Sequence, residues 1–446
     1  MARLRVLLID DSAVVRRLLR SALAADPEIE VVGEAGDGQQ GLAGIRELQP
    51  DAVVCDVEMP VLSGIDTVRE IRRHWQKLPV IMFAAPTRES AAVTLEALHA
   101  GADDFVTKPT ASSGASMTAV LEQLRVELGG KLKILARGPG DLSAVARAAI
   151  RYAPPPRPAP AAPAGEAVAA IPPAPAGEPR TPPKPPTIVS AVPPPAAEVC
   201  TPSSLVPALR PSPPPTARPT PAPPSPPRLP PATPPSALRA TPLPATPVGA
   251  LQRTTRCEAV LIGVSTGGPN ALAEVIPRLP ADLPLPVLVV QHMPPVFTRL
   301  LAERLQGQSR LPVVEAAEGD EVLPGRVYIA PGDYHLTVRR EQASVRCRLN
   351  RDPPENSVRP AADVLFRSAA SVWGGNVLVV IMTGMGQDGL LGALQLHELG
   401  APVIAQDEAT SVVWGMPGAV HKAGIVERLV PLSQLAETIA LRARVR

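Results

Sequence analysis

A proline tract near the middle of the chain limits what it can fold into more than any other feature. Of 446 residues 59 are Pro, and 36 of these fall between residues 151 and 250. Proline fixes φ and has no amide hydrogen, so so dense a segment builds neither helix nor sheet. From Pro154 to Pro247, Pro-Pro and Pro-Pro-Pro runs mix with Ala, Thr and Ser, which reads as a disordered, semi-stiff linker of polyproline II character. Its PxxP spacings fit an SH3-like partner, but at this proline density they are unavoidable. The chain therefore divides into a folded block at 1–128, a Pro-rich linker at 129–255 and a second folded block at 256–446.

The tract also accounts for the mildly basic balance. The net charge is +2, yet residues 151–250 alone hold eight Lys+Arg against three Asp+Glu, so the remainder is slightly acidic. No folded basic surface for nucleic acid is indicated. Apolar runs such as Val377 to Met382 fall far short of the ~18 residues of a membrane helix, so no membrane insertion is expected. The stretch before Asp10-Asp11 is too short for a signal peptide. Cys55, Cys200, Cys257 and Cys347 lie far apart, without CxxC spacing or paired His, which argues against a disulfide framework and a structural zinc. These features together predict a soluble, cytoplasmic protein.

Both blocks alternate strand and helix, the pattern of parallel-sheet α/β domains. In the first, Leu4–Ile9, Val53–Cys55 and Pro79–Phe83 read as buried strands and Asp11–Ala24 as a helix, with a further helix continuing into residues 131–150. In the second, strands are expected at Ala259–Val264, Pro286–Val290, Arg326–Ile329 and Val377–Met382. Helices are expected there at Ala271–Leu279, Phe297–Leu305 and Leu390–Leu399.

In the first block Asp10, Asp11 and Asp56 close apolar strands, which places all three at the ligand edge of a parallel sheet. Singly, each is an ordinary solvated turn residue. Together they repel one another and call for a hard cation, for which oxygen ligands and Mg²⁺ are suited. Lys108, in Thr107-Lys108-Pro109, brings an ammonium to the same rim, and an Asp so placed is a phosphoryl acceptor.

These residues, with Cys55-Asp56-Val57-Glu58-Met59-Pro60 and Gly64, resemble the response-regulator receiver domain over nearly the whole block. The resemblance implies phosphorylation of Asp56 by a histidine kinase, Mg²⁺ on Asp11, Asp56 and the Glu58 carbonyl, and Lys108 on the phosphoryl group. One position departs from the pattern. Where such domains carry Thr or Ser at the end of the fourth strand, this chain has Ala84, so one hydrogen bond to the phosphoryl oxygen is lost. The aromatic switch position is retained as Phe105.

In the second block Gly263-Val264-Ser265-Thr266-Gly267-Gly268 follows a strand and opens a helix, which exposes the Ser265 hydroxyl beside backbone N–H groups. Alone, this motif fits a phosphate-binding loop of a nucleotide enzyme equally well. Gln291-His292-Met293-Pro294 and Thr383–Gly389 break the tie, since each carries a polar residue just past an apolar strand. Ser265, His292 and Asp388 then supply nucleophile, base and orienting carboxylate. Singly, His292 is as readily a packed structural His and Asp388 a helix cap. Their chain order, Ser, His, Asp, is not that of the α/β-hydrolases. His74, His99, His335, His397 and His421 lack such company.

This block resembles the catalytic domain of the chemotaxis receptor methylesterases, the CheB family, nearly throughout. The resemblance is carried by Gly263–Gly268, Gln291–Pro295, Ala330–Gly332, Ser357–Pro360, Thr383–Gly389 and Trp414–Pro417. It implies a doubly wound, Rossmann-like domain that hydrolyses glutamate γ-methyl esters and deamidates glutamines on methyl-accepting chemoreceptors. The oxyanion donors would be the backbone N–H groups of Thr266 and Met385, and the esterase itself would need no cofactor. It also implies that the unphosphorylated receiver covers the esterase site. A linker eightfold longer weakens such docking by only about 1.8 kcal/mol, about twentyfold in a closed/open ratio, so partial inhibition in cis is expected. A phosphorelay output module that binds a partner without catalysis, and a nucleotide-binding enzyme, are the rival readings.

Overall fold

The computed structural model describes residues 2–109, 116–137 and 256–444. The proline tract expected to be a linker lies outside these residues.

The first domain is a five-stranded parallel sheet in the order β2-β1-β3-β4-β5, from β1 (Leu4–Ile9), β2 (Ile29–Ala35), β3 (Ala52–Asp56), β4 (Val80–Ala84) and β5 (Asp104–Thr107). Successive side chains of each strand point to opposite faces. Val6, Leu8, Val54 and Phe83 therefore pack with Leu19 and Leu23 of α1 (Ala13–Ala24) and with Leu124, Leu128 and Leu132 of α5 (Met117–Arg137). Leu7, Ile9, Val53, Cys55 and Met82 pack on the other face against α2 (Gly38–Leu48), α3 (Gly64–His74) and α4 (Arg88–His99). Ser12, Asp37, Ser63 and Thr87 cap the first four helices by accepting a first-turn N–H. Helix α5 spans residue 128, where the sequence reading ends the block, because Leu132 is still core and Lys133 pairs with Asp26 at 2.8 Å. The expected continuation is thus helical to Arg137, and residues 138–150 lie outside the described part.

The second domain is a seven-stranded sheet in the order β14-β13-β12-β6-β7-β9-β8, parallel throughout. Its strands are β6 (Ala259–Val264), β7 (Val287–Gln291), β8 (Val313–Glu315), β9 (Val327–Ile329), β12 (Val377–Ile381), β13 (Val403–Gln406) and β14 (Arg428–Val430). An antiparallel hairpin, β10 (His335–Glu341) with β11 (Ser344–Asn350), stands apart from it. Helices α6 (Gly268–Val275), α7 (Phe297–Gln308) and α11 (Leu432–Ala443) cover one face, over Val260, Ile262, Val289 and Val380. The other face, with Leu261, Leu288 and Val379, takes α8 (Ala362–Trp373), α9 (Leu390–Glu398) and α10 (Met416–Lys422). Helix α6 starts earlier than expected from the sequence and gives way to a 3₁₀ turn at Ile276–Arg278, where Pro277 has no N–H to continue the ladder.

The two domains meet along α4. Asn270 Nδ2 of α6 donates to the Leu98 carbonyl at 2.9 Å, and Arg304 Nη1 of α7 donates to the Leu95 carbonyl at 2.7 Å. Phe105 of β5 stacks on Phe297, with ring centroids 4.5 Å apart. The apolar residues of α4, Leu95 and Leu98, join Leu272, Phe297 and Leu301 in one continuous cluster.

Candidate functional site

The order of the second sheet sets the site. The chain runs outward from β6 through β7, then returns to place β12 on the opposite side of β6. Side chains at the carboxyl ends of these three central strands converge on one crevice, where open α/β sheets take their ligands. Ser265 follows β6, His292 follows β7 and Asp388 lies in the loop between β12 and α9.

The turn after β6 holds Ser265 by its backbone. Its N–H donates to the Thr383 carbonyl at 3.0 Å, and its carbonyl accepts from Gln291 Nε2 at 2.9 Å. Gly267 sits at φ 76°, where a Cβ would come within 2.7 Å of Val412, and a Cβ at Gly268 would lie 1.9 Å from Gln291 Oε1. Only glycine fits this tight turn. Among the described residues neither Thr266 N–H nor Met385 N–H has an intramolecular acceptor. Both expected oxyanion donors are thus unengaged, and Gly384, beside Met385, is packed directly on Ser265 Cβ.

His292 Nε2 lies 2.7 Å from Asp388 Oδ2. The carboxylate, an acceptor, makes that nitrogen the donor and leaves Nδ1 as the basic position of the ring. Asp388 is only 2% exposed. Its Oδ2 also accepts the Ala362 N–H at 2.5 Å, while Oδ1 accepts the Asp363 N–H at 3.2 Å and Asn356 Nδ2 at 2.9 Å. Ala362 and Asp363 open α8, so the carboxylate occupies the positive end of that helix. Burial alone would raise its pKa, but the hydrogen bond and charge of His292 and these two backbone donors outweigh it and hold the carboxyl below its usual range. Asp363 goes the other way, pushed up to about 6 by burial and then by the neighbouring Asp388 charge.

The acidic pocket forms at the corresponding edge of the first sheet. Carboxylate oxygens of Asp10, Asp11 and Asp56 lie within 4.8 Å of one another. Asp56 Oδ2 accepts from Lys108 Nζ at 2.7 Å, and its Oδ1 accepts from Val57 N–H at 2.7 Å. Asp10 Oδ2 is 3.1 Å from the same ammonium but buried, with no hydrogen bond among the described residues. Burial foremost, with the Asp10 charge adding, pushes Asp56 up to about 6 against the opposing pull of Lys108. The Glu58 carbonyl accepts no hydrogen bond among the described residues. An all-oxygen set with an unsatisfied buried carboxylate oxygen fits Mg²⁺. Ala84 ends β4, fully buried and without a hydroxyl. Phe105 does not face solvent; Phe297 covers it.

Two residues of the crevice in the second domain escaped the sequence reading. Asn356 and Asp363 both touch the Asp388 environment, and nothing in their local sequence signals it.

The two sheets join a receiver-type domain to a hydrolase domain of the doubly wound α/β type. Residues 260–439 match the CheB methylesterase family model, and residues 6–119 match the response regulator receiver domain. A protein-glutamate methylesterase/protein-glutamine glutaminase of Trichodesmium erythraeum is 37% identical over 442 residues, covering 99% of each chain. One of the same name from Nocardioides sp. is 40% identical, covering 99% of this chain and 96% of its own. The catalytic domain of Thermotoga maritima CheB methylesterase is 44% identical, covers 42% of this chain and 98% of its own, and has a TM-score of 0.41. The chain belongs to the CheB methylesterase family.

Proposed function

We propose that this protein is a phosphorylation-regulated protein-glutamate methylesterase and protein-glutamine deamidase acting on chemoreceptors, and so resets receptor sensitivity. The observation that carries the reading is the 2.7 Å bond between His292 Nε2 and Asp388 Oδ2 at the sheet edge where Ser265 leaves β6. In this mechanism His292 Nδ1 takes the Ser265 hydroxyl proton as Oγ bonds to the glutamyl side-chain carbonyl carbon. The displaced electron pair moves to the carbonyl oxygen, facing the N–H groups of Thr266 and Met385. Collapse breaks the bond to the methoxy oxygen of an ester or the amide nitrogen of a glutamine, and that atom takes the His292 proton and leaves as methanol or ammonia. Water then attacks the acyl-enzyme, giving its proton to His292, and Ser265 departs with that proton. Asp388 keeps the imidazole oriented and stabilises its charged form.

Control by the receiver is supported by the interface along α4. A Cβ at Gly130 of α5 would come within 3.2 Å of Met385 Cε, beside one of the proposed oxyanion donors. Asp11 and Asp56 with the Glu58 carbonyl would hold Mg²⁺ beside Asp10, and it would supply neutralising charge for the incoming phosphoryl group. Asp56 accepts that group from a chemotaxis histidine kinase, and Lys108 contacts it. Phosphorylation releases α4 and Phe105 from the esterase domain.

The reading is tested by methanol release from a methylated receptor fragment, using the full chain with and without a small-molecule phosphodonor such as acetyl phosphate. Activity is expected to rise on phosphorylation in the wild type and not at all in Asp56→Asn. No release by the wild type in either state would sink the esterase reading. Arg304→Ala removes a charge-assisted hydrogen bond, worth ~1.5 kcal/mol at the low end of such bonds, from the closed form only. Basal activity of the unphosphorylated full chain is therefore expected to rise about tenfold, with little gain after phosphorylation. An unchanged basal rate would count against docking along α4.

A further inference from the structure

Residues 355–358 form a tight turn in which Glu355 and Val358 exchange both backbone hydrogen bonds, at 3.1 and 3.0 Å. The two central residues, Asn356 and Ser357, have φ of 53° and 65°. Consecutive positive φ angles define a type I′ turn, in which Asn is favoured. That is a sufficient local reason for Asn at this position, but it does not explain where the side chain goes. Although Asn356 is exposed at the surface, its Nδ2 reaches inward to two buried carboxylates, Asp388 Oδ1 at 2.9 Å and Asp363 Oδ2 at 3.0 Å. Both partners accept, so the amide must present its NH₂ group and not its oxygen.

The surroundings make this a rigid clip. The turn is tied to α8 through Glu355, whose carboxylate takes both Arg367 guanidinium nitrogens at 2.6 and 2.5 Å. Asp363 is fixed from its far side, its Oδ1 accepting the Gly392 N–H at 2.7 Å. One hydrogen of the Asn356 amide is thereby anchored on Asp363 and the other aimed at Asp388. Of the four donors on Asp388 among the described residues, this is the one side chain besides His292; the other two are backbone groups of α8. It engages the oxygen that His292 does not use, and so opposes rotation of the carboxylate away from the imidazole.

We propose that Asn356, anchored on Asp363, is a positioning residue that clamps the Asp388 carboxylate in the orientation that accepts the His292 imidazole N–H. The inference rests on the esterase reading for its role in turnover, but the geometry it invokes is independent of substrate. Because the clamp acts through Asp388, its loss should be felt only while the carboxylate is present.

The test variant is Asn356→Gly in the full chain. Glycine adopts the type I′ turn freely, so the turn survives and only the amide is lost. Misplacement of a catalytic group by about 1 Å costs on the order of a hundredfold. With the methylated receptor fragment, kcat is expected to fall about 10- to 100-fold and KM to stay within about twofold. Added to Asp388→Asn, the same change should cost nothing further. Asn356→Asp, which tolerates the turn but offers no donor when ionised, should resemble the glycine variant. The second readout needs no turnover. The strongly deshielded proton of the His292–Asp388 hydrogen bond should be present in the proton NMR spectrum of the wild type and lost or broadened in Asn356→Gly. An unchanged kcat, a cost additive with Asp388→Asn, or an undisturbed imidazole proton in Asn356→Gly would each overturn the clamp. Failure of the wild type to release methanol would instead count against the esterase reading, with the clamp still judged by the imidazole proton.

Discussion

Ser265→Ala is expected to lower the turnover of a methylated receptor fragment by about a millionfold, the order seen when a triad serine is removed from a hydrolase. The size follows from what the change takes away and what it spares. The Ser265 backbone is held through the Thr383 carbonyl and Gln291 Nε2, and neither bond involves the hydroxyl. Alanine therefore keeps the turn, the unengaged N–H groups of Thr266 and Met385 and the His292–Asp388 pair. Only the nucleophile is lost, and with it the covalent route. A residual rate above that in buffer is expected from the oxyanion donors alone. Methanol release by the two proteins, at equal melting temperature, measures the difference. Equal release above the buffer rate would mean that Ser265 is not the nucleophile, and release by neither protein would leave a binding role for the domain.

Much of this architecture is legible in the sequence because its central strands are buried on both faces. Leu4–Ile9, broken only by Arg5, and Ala259–Val264 are largely apolar runs, and their bounds are those of β1 and β6. A polar residue directly after such a run falls at the ligand edge, which is why Asp10, Asp56, Ser265 and His292 stand out. Elements that draw their order from distant partners are silent. Helix α8 has Ala361 at its N-cap position, with no capping side chain, so the sequence carries no start signal. Its first N–H groups are satisfied by Asp388, from a loop that follows β12. In the β10–β11 hairpin, strand β11 alternates apolar with basic residues, as in Val345-Arg346-Cys347-Arg348, and the hairpin lies outside the main sheet.

The domain interface was hidden for a related reason. Ala91, Leu95, Ala97 and Leu98 give α4 apolar residues facing both its own sheet and the second domain. A helix buried on two sides shows no clean stripe, so periodicity does not separate the two contacts. Phe105 reads from the sequence as a switch aromatic; that it stacks on Phe297 depends on a residue 192 positions later in the chain. Asn356 is the sharpest case, because a type I′ turn is reason enough for its presence and masks its hold on Asp388.

Asp388→Asn is expected to cost about 10⁴-fold in kcat, in line with the loss of a triad aspartate elsewhere. The reason is a conflict of donors. All four hydrogen bonds to the native carboxylate are accepted ones, from His292, Ala362, Asp363 and Asn356. An asparagine offers one accepting oxygen, so one pair of those donors must face an NH₂ group. If the nitrogen points toward His292, Nε2 becomes the acceptor and the proton shifts to Nδ1, the position from which Ser265 must be deprotonated. If it points toward Asn356 and the Asp363 N–H, the imidazole keeps its tautomer but loses the full negative charge that stabilises its protonated form. A stability cost accompanies either arrangement, because an unsatisfied buried donor costs ~1–3 kcal/mol. The neighbouring Asp363 gives partial relief, since burial and the Asp388 charge together push it up to about 6 and removal of that charge eases its ionisation. The melting temperature should therefore fall by a few degrees while the protein stays folded at assay temperature. Turnover and thermal melting of the same preparation separate the two effects. A variant that melts lower but turns over at the wild-type rate would show that Asp388 serves α8 as a cap and leaves His292 to act alone.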